Sequence, residues 1–271
     1  MNKVEYYLNE IENNPFPQTV INNASIRRNF NTLQLTELSK YNNCCAQLIQ
    51  TFHPSLWLAN RKGFKSPFCA WSDREIMIKC IENRLKYIGD DLSLVNIRAG
   101  LTIAKLAPKV SVFRPALAKY ILTTYANNFT EIFDPCSGYS GRLLGAKALN
   151  KKYVGQDINY RTVTESNNLI DYFNFKDCFV RCVDSLSTKG SYECLFTCSP
   201  YSDLEHWNQD IEDLTCDEWI DICLKNYTCK RYIFVVNSTV KYSKYIKEVL
   251  QNKSYMSNSK EYVLVMDKDI I

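Results

Sequence analysis

The run Phe133-Asp134-Pro135-Cys136-Ser137-Gly138-Tyr139-Ser140-Gly141-Arg142-Leu143-Leu144-Gly145-Ala146 has the residue types of a ligand cradle. A short apolar segment, Glu131-Ile132-Phe133, leads into an acid, a proline and two glycines three apart, then into helix-forming residues. Glycines at a strand-to-helix turn let backbone approach a ligand closely, and the helix that follows offers unpaired N–H groups. The combination suits a nucleotide-like cofactor at the carboxyl edge of a parallel sheet.

Two further acids stand where the next strands should end. Asp157 closes Tyr153-Val154-Gly155-Gln156, 23 residues after Asp134, and Asp184 closes Arg181-Cys182-Val183. An acid at the second strand tip is placed to accept both ribose hydroxyls, and a polar residue at the third can accept from an adenine amine. A single acid in such a place is usually a turn residue. Three of them in register with a glycine turn make a pattern. The dinucleotide fingerprint G-x-G-x-x-G is not matched, because the order here is Gly138-x-x-Gly141-x-x-x-Gly145 after Asp134-Pro135.

The elements that must position these residues follow from periodicity. From Phe129 onward, apolar strand patterns at 130–133, 152–156, 178–183, 193–197, 231–236 and 261–266 alternate with helical patterns at 142–149, 161–173, 217–227 and 241–251. This alternation predicts an α/β domain with a mainly parallel sheet and helices on both faces. Upstream, Ser72-Asp73-Arg74-Glu75 caps a helix that runs to about Ile88, where Gly89-Asp90-Asp91 ends it. A second helix is expected from Leu94 to Leu106, and Pro115 fits the first turn of a third that ends at Tyr125. Residues 1–70 give irregular and helical pieces broken at Asn13-Asn14-Pro15-Phe16-Pro17 and around Gly63 and Pro67. The expected division is a mostly helical region over 1–109, for nucleic-acid recognition or support, and the α/β domain over 110–271.

Composition narrows the function classes. With 46% hydrophobic and 23% charged residues among 271, the chain has the make-up of a globular protein. No apolar run approaches the roughly 20 residues of a membrane span, and Met1-Asn2-Lys3-Val4-Glu5 is no signal peptide, so no membrane partner is expected. The twelve cysteines are scattered, and Cys178, Cys182 and Cys194 lie in apolar strand-like runs. Reduced thiols and a cytoplasmic location are expected. No Cys-x-x-Cys occurs and the only histidines are His53 and His206, so no metal is expected. Residues 1–112 carry 14 Lys/Arg against 9 Asp/Glu, whereas 113–271 carry 19 against 20. Arg27-Arg28 and Arg61, Lys62 and Lys65, with Trp57, Phe64, Phe68 and Trp71 nearby, could meet phosphates or simply be a solvated face.

The second telling segment is Leu195-Phe196-Thr197-Cys198-Ser199-Pro200-Tyr201-Ser202-Asp203-Leu204-Glu205-His206-Trp207. Here the chain resembles the amino-methyltransferases that modify adenine N6 or cytosine N4 in DNA with S-adenosyl-L-methionine. These place a Ser/Asn/Asp-Pro-Pro-aromatic motif after the fourth strand. Phe113-Arg114-Pro115-Ala116 resembles the segment that in this family precedes the glycine motif. The resemblance covers about residues 110–240 and implies a class I methyltransferase fold. It implies a cofactor pocket of Phe113, Pro115, Asp134, Cys136, Gly138 and Gly141, with Asp157 on the ribose and Asp184 on the adenine. Cys198, Ser199 and Pro200 would orient the target amine, and Tyr201 would stack on a base taken out of the duplex. Asp203, Glu205 and Trp207 would either continue the base pocket or begin the next helix. DNA is the implied partner, contacted through Arg61, Lys62 and Lys65, and a partner protein subunit is a further expectation.

Aligned through Pro200-Tyr201, the motif departs from the family at Cys198, the acceptor position, and at Ser199, the first proline. Cysteine is a weak acceptor. Three readings stay open: Cys198 stands in for serine, Ser199 supplies the acceptor through a shifted turn, or the site is degenerate. A degenerate site would leave a nucleic-acid-binding or partner subunit. The same motif would also serve a methyltransferase of RNA, protein or a small molecule.

Overall fold

The computed structural model describes residues 2–198, 214–254 and 257–270. Its elements in chain order are α1 (Lys3–Asn13), α2 (Asn23–Leu35), α3 (Ala46–Phe52), α4 (Pro67–Trp71), α5 (Arg74–Ile88), α6 (Leu94–Ile103) and α7 (Pro115–Tyr125). They continue with β1 (Glu131–Asp134), α8 (Gly141–Ala148), β2 (Lys152–Asp157), α9 (Tyr160–Phe173), β3 (Cys178–Cys182) and β4 (Gly190–Cys198). The last are α10 (Cys216–Asn226), β5 (Tyr227–Val236), β6 (Ile246–Ser254) and β7 (Ser257–Asp267).

The described residues form two compact units, one of 2–20 with 54–111, the other of 21–53 with 112–198 and 214–270. In the first, α1, α4, α5 and α6 bury Leu8, Phe16, Trp57, Trp71, Met77, Ile81, Ile97 and Leu101 in one core. Asp73 caps α5 by accepting from the Ile76 N–H at 3.1 Å. Gly89, at φ 104°, ends it. A single division near residue 110 therefore describes the chain incompletely, because 21–53 packs with the sheet. Phe30 of α2 meets Phe173 and Phe175 at ring distances of 4.9 and 5.1 Å. The Lys119 ammonium of α7 donates to the last carbonyls of α2, at 2.7 Å from Leu33 and 3.1 Å from Gln34.

The second unit is built on a seven-stranded sheet of order β3-β2-β1-β4-β5-β7-β6. β1 to β5 are parallel, and β7 is antiparallel to both β5 and β6. This is the class I, Rossmann-like methyltransferase fold. Strand order reverses between β1 and β4, so a crevice opens beyond their carboxyl ends, at Asp134 and Cys198. Behind it, Phe133 stacks on Tyr192 at 3.8 Å and packs with Leu195, Phe234 and Leu264 in the core.

One expected element is corrected. The 241–251 segment is not a helix but a short 3-10 turn (Ser243–Tyr245) followed by β6. Ile246, Val249 and Leu250 mimic helical spacing because an acid, Glu248, occupies an inward position of the strand while Val249 faces outward, 47% exposed. Glu248 is tolerated there by an ion pair with Lys40 and by the hydroxyls of Tyr120 and Tyr125 at 3.5 and 3.4 Å.

Candidate functional site at the strand tips

Asp134, at the tip of β1, is fully buried. Its Oδ2 accepts from Arg142 Nε at 2.6 Å and from the Tyr153 hydroxyl at 2.7 Å. Its Oδ1 accepts from the Thr197 hydroxyl at 2.9 Å and the Cys136 N–H at 3.2 Å. A carboxylate has about four lone-pair sites, so these donors saturate it. Asp134 thus ties β1, β2, β4 and α8 together from within. Burial opposes the charge of Arg142, yet the Asp134 carboxylate outweighs it and holds the guanidinium pKa above its usual value. Burial, reinforced by Asp134, also pushes Tyr153 well up, so its phenol stays a donor. Arg142 further donates to the Cys136 carbonyl and lies under the Phe113 ring, 5.1 Å from its centroid.

The turn after β1 is shaped by two glycines with different tasks. Gly138 has φ +55°, and no atom of the described residues lies within 4 Å of where its Cβ would be. The turn backbone thus borders open space that any side chain would enter. Gly141 opens α8 pressed against the Phe113 backbone; a Cβ there would collide with the Phe113 carbonyl oxygen. Its small size serves the approach of Phe113 to α8. Pro115 is buried at the first turn of α7.

Asp157 ends β2 and reaches across to the turn. Its Oδ2 accepts the Gly138 N–H at 2.8 Å and its Oδ1 the Asn159 N–H at 2.9 Å. Burial raises its pKa, opposed by those two N–H bonds. Burial, followed by the Asp157 charge, pushes the Cys136 thiol well up, which makes it a neutral thiol rather than a nucleophile. Ser137 Oγ, beside them, is buried and has no hydrogen-bond partner among the described residues, an orphan of the kind a ligand satisfies.

Asp184 follows β3 on an exposed turn, where Oδ1 accepts the Leu186 N–H at 2.9 Å. Cys198 closes β4 opposite Val235 and is half-buried. It follows Thr197, whose hydroxyl donates to Asp134, and so stands at the same edge of the sheet. The expected positions Ser199, Pro200, Tyr201, Asp203, Glu205 and Trp207 lie outside the described residues. Arg61, Lys62 and Lys65 belong to the other unit. There Lys65 pairs with Asp73 at 2.7 Å, Lys62 is exposed and Arg61 half-buried. Trp57 and Trp71 of that region are core residues, whereas Phe64 and Phe68 are exposed.

The contacts above bring Phe113, Asp134, Cys136, Gly138, Gly141 and Asp157 together at the turn between β1 and α8, with Cys198 next to Thr197 at the tip of β4. Sequence reasoning missed three partners of Asp134 and its turn: Arg142, Tyr153 and Thr197. Arg142 carried a signal, a charged residue in the first turn of a helix otherwise made of Gly, Ala, Leu and one late Lys. A buried helix keeps such a charge only with a partner. Hollows lined by Arg231 and Asp267, or by Phe30 and Lys147, hold none of these strand-tip residues. Among the described residues, no group of three or more His, Cys, Asp or Glu is arranged to hold a metal ion.

No protein-family model and no curated protein matches the sequence. Solved structures do match. A Pyrococcus horikoshii protein described as an RNA methyltransferase aligns with a TM-score of 0.44 and 8% identity, over 57% of this chain and 82% of that one. The magnesium protoporphyrin IX methyltransferase of Synechocystis PCC 6803, solved with bound SAM, aligns with a TM-score of 0.43 and 11% identity, over 68% and 89%. TrmN from Thermus thermophilus gives 0.43 and 12%, over 57% of this chain and 48% of its own.

Proposed function

We propose that this protein transfers a methyl group from S-adenosyl-L-methionine to an exocyclic amine of a DNA base, adenine N6 or cytosine N4. The observation that carries the reading is the open cradle at Gly138 joined to the Asp157 carboxylate at the tips of β1 and β2. Residues of the right chemistry for the cofactor are present: a backbone that admits close approach, a carboxylate beside it for ribose hydroxyls, a Ser137 hydroxyl with no partner among the described residues, and Phe113 flanking the turn. S-adenosyl-L-methionine would supply an electrophilic methyl group on sulfur.

The protein's own part is positional. Asp134 spends its charge on Arg142 and keeps the turn in place, so it acts through the backbone that it braces. Asp184, on its exposed turn, serves as the acceptor for the adenine amine. On the substrate side, an exocyclic amine is a weak nucleophile because its lone pair is delocalised into the ring. Acceptors at the end of β4, from Cys198 or Ser199 and the backbone before Pro200, hold the amine so that its lone pair points at the methyl carbon. Tyr201 stacks on the base. Such a reaction gains most of its rate from alignment rather than from a strong base. DNA as substrate is supported by the basic excess of residues 1–112 and by Arg61 and Lys62 next to the exposed Phe64.

Calorimetry with S-adenosyl-L-methionine, then labelled-methyl transfer to DNA, RNA and protein with nucleoside mass spectrometry, tests the reading. Methylated adenine or cytosine from DNA is expected. Cofactor binding with label only in RNA or protein overturns the substrate, and no binding by the folded protein overturns the enzyme. Activity surviving Cys198→Ala assigns orientation of the amine to Ser199 or the backbone. Arg61→Glu with Lys62→Glu is expected to weaken DNA binding and flatten its salt dependence.

A further inference from the structure

Ser140, between the cradle and α8, has φ +61° and ψ 11°, a left-handed conformation that residues with a Cβ rarely take. It stands at the N-cap of α8, where a serine hydroxyl ordinarily bonds the helix N–H groups, yet it makes no such bond. Its Oγ instead lies 2.8 Å from His53 Nε2 and donates to Ser166 Oγ at 2.9 Å. His53, the residue after α3, has a fully buried imidazole. Its Nδ1 lies 3.2 Å from Glu165 Oε2, and its ring meets Tyr139 edge-on at 5.7 Å.

Carboxylate, imidazole and hydroxyl in this order have the form of a nucleophilic triad. Burial excludes that use here: His53 and Ser140 are 0% and 1% exposed, so no substrate carbonyl reaches Oγ. What the chain of contacts can do is hold a shape. It holds Tyr139 and Ser140, and Ser140 is two residues from Gly138, whose N–H must face Asp157.

We propose that His53, oriented by Glu165, is the positioning residue of the cofactor turn: it pins Ser140 in its left-handed conformation and thereby keeps the Gly138 cradle open. This rests on the reading of the cradle as a cofactor site. Residues 21–53 then have a task in the sheet unit beyond packing, since they deliver the imidazole to a turn 87 positions further along the chain.

The test compares full-length variants by hydrogen–deuterium exchange of 134–143 without ligand and by calorimetry with S-adenosyl-L-methionine. His53→Gln, which can still reach Ser140, is expected to match the wild type in both. His53→Ala and His53→Asn are expected to exchange faster over 134–143 and to bind on the order of tenfold more weakly, because the left-handed turn is no longer held. Ser140→Gly needs no pin, so adding His53→Ala to it should change affinity less than about twofold. Unchanged exchange over 134–143 in His53→Ala, or equal behaviour of the Gln and Asn variants, overturns the proposal. So does an undiminished effect of His53→Ala in the Ser140→Gly background. Should His53→Ala not fold, the Gln and Asn pair decides. Should the wild type bind no S-adenosyl-L-methionine, the cofactor reading falls, and the exchange data alone decide the role of His53.

Discussion

The Asp157 carboxylate accepts the Gly138 N–H at 2.8 Å, joining the tip of β2 to the only glycine of the 134–145 turn that has positive φ. One oxygen holds the cradle and the other holds the Asn159 N–H. A single side chain therefore sets the backbone that approaches the cofactor and presents charge beside it.

Asp157→Asn keeps the size of the side chain but turns one oxygen into a donor facing the Gly138 N–H. Cofactor affinity is expected to fall at least about tenfold, since a hydrogen bond to a charged acceptor contributes roughly 1.5–3 kcal/mol. Calorimetry at neutral pH, with circular dichroism to check folding, measures it; wild-type affinity in this variant would remove Asp157 from the ribose.

Burial raises the Asp157 pKa, so the carboxylate protonates at a higher pH than an ordinary aspartate. Ribose hydroxyls need the ionised form as acceptor. Affinity is therefore expected to be flat at neutral pH and to fall as pH drops through the raised pKa, with Asp157→Asn losing that slope. For stability the sign is the reverse. The buried charge costs stability above the window, and the cost disappears as the group protonates in the folded state. A pH series of titrations, paired with urea denaturation, reads both.

Arg142→Met leaves Asp134 buried with only neutral donors. Removing one partner of a buried ion pair costs about 3–5 kcal/mol. The variant is expected to lose stability on that scale in urea denaturation. The double change Arg142→Met with Asp134→Asn should cost less than the sum of the two, because it leaves no unpaired charge.

Gly138→Ala and Gly141→Ala should separate binding from folding. At Gly138 the methyl meets no atom of the described residues, so the cost is the left-handed strain of about 1–2 kcal/mol, and the larger effect is loss of cofactor affinity as the cradle fills. At Gly141 the methyl meets the Phe113 carbonyl oxygen, and the backbone must move. Thermal unfolding should show the larger drop for Gly141→Ala, and calorimetry the more selective loss for Gly138→Ala.

The amino-acid sequence alone specifies the alternation of strands and helices from β1 to β5, the glycine turn, and the acids that end β1 and β2. These follow from local rules: apolar runs of strand length, capping residues, and turn residues at strand ends. It also specifies helix α5, whose cap Asp73 and stop Gly89 lie next to it in the chain. The roles of the site residues depend on contacts made in the folded chain. Asp134 is an internal brace because Arg142, Tyr153 and Thr197 converge on it from three elements. Gly141 makes room for Phe113, 28 positions upstream, and Asp184 stays on an exposed turn. Strand β6 was hidden because its inward Glu248 depends on Lys40, 208 positions away. His53 stands in no motif of the sequence, and the fold sets it against Ser140 and Glu165. Periodicity and spacing report on neighbours along the chain. A carboxylate's partners and a glycine's crowding are set by segments that meet only when the sheet is assembled.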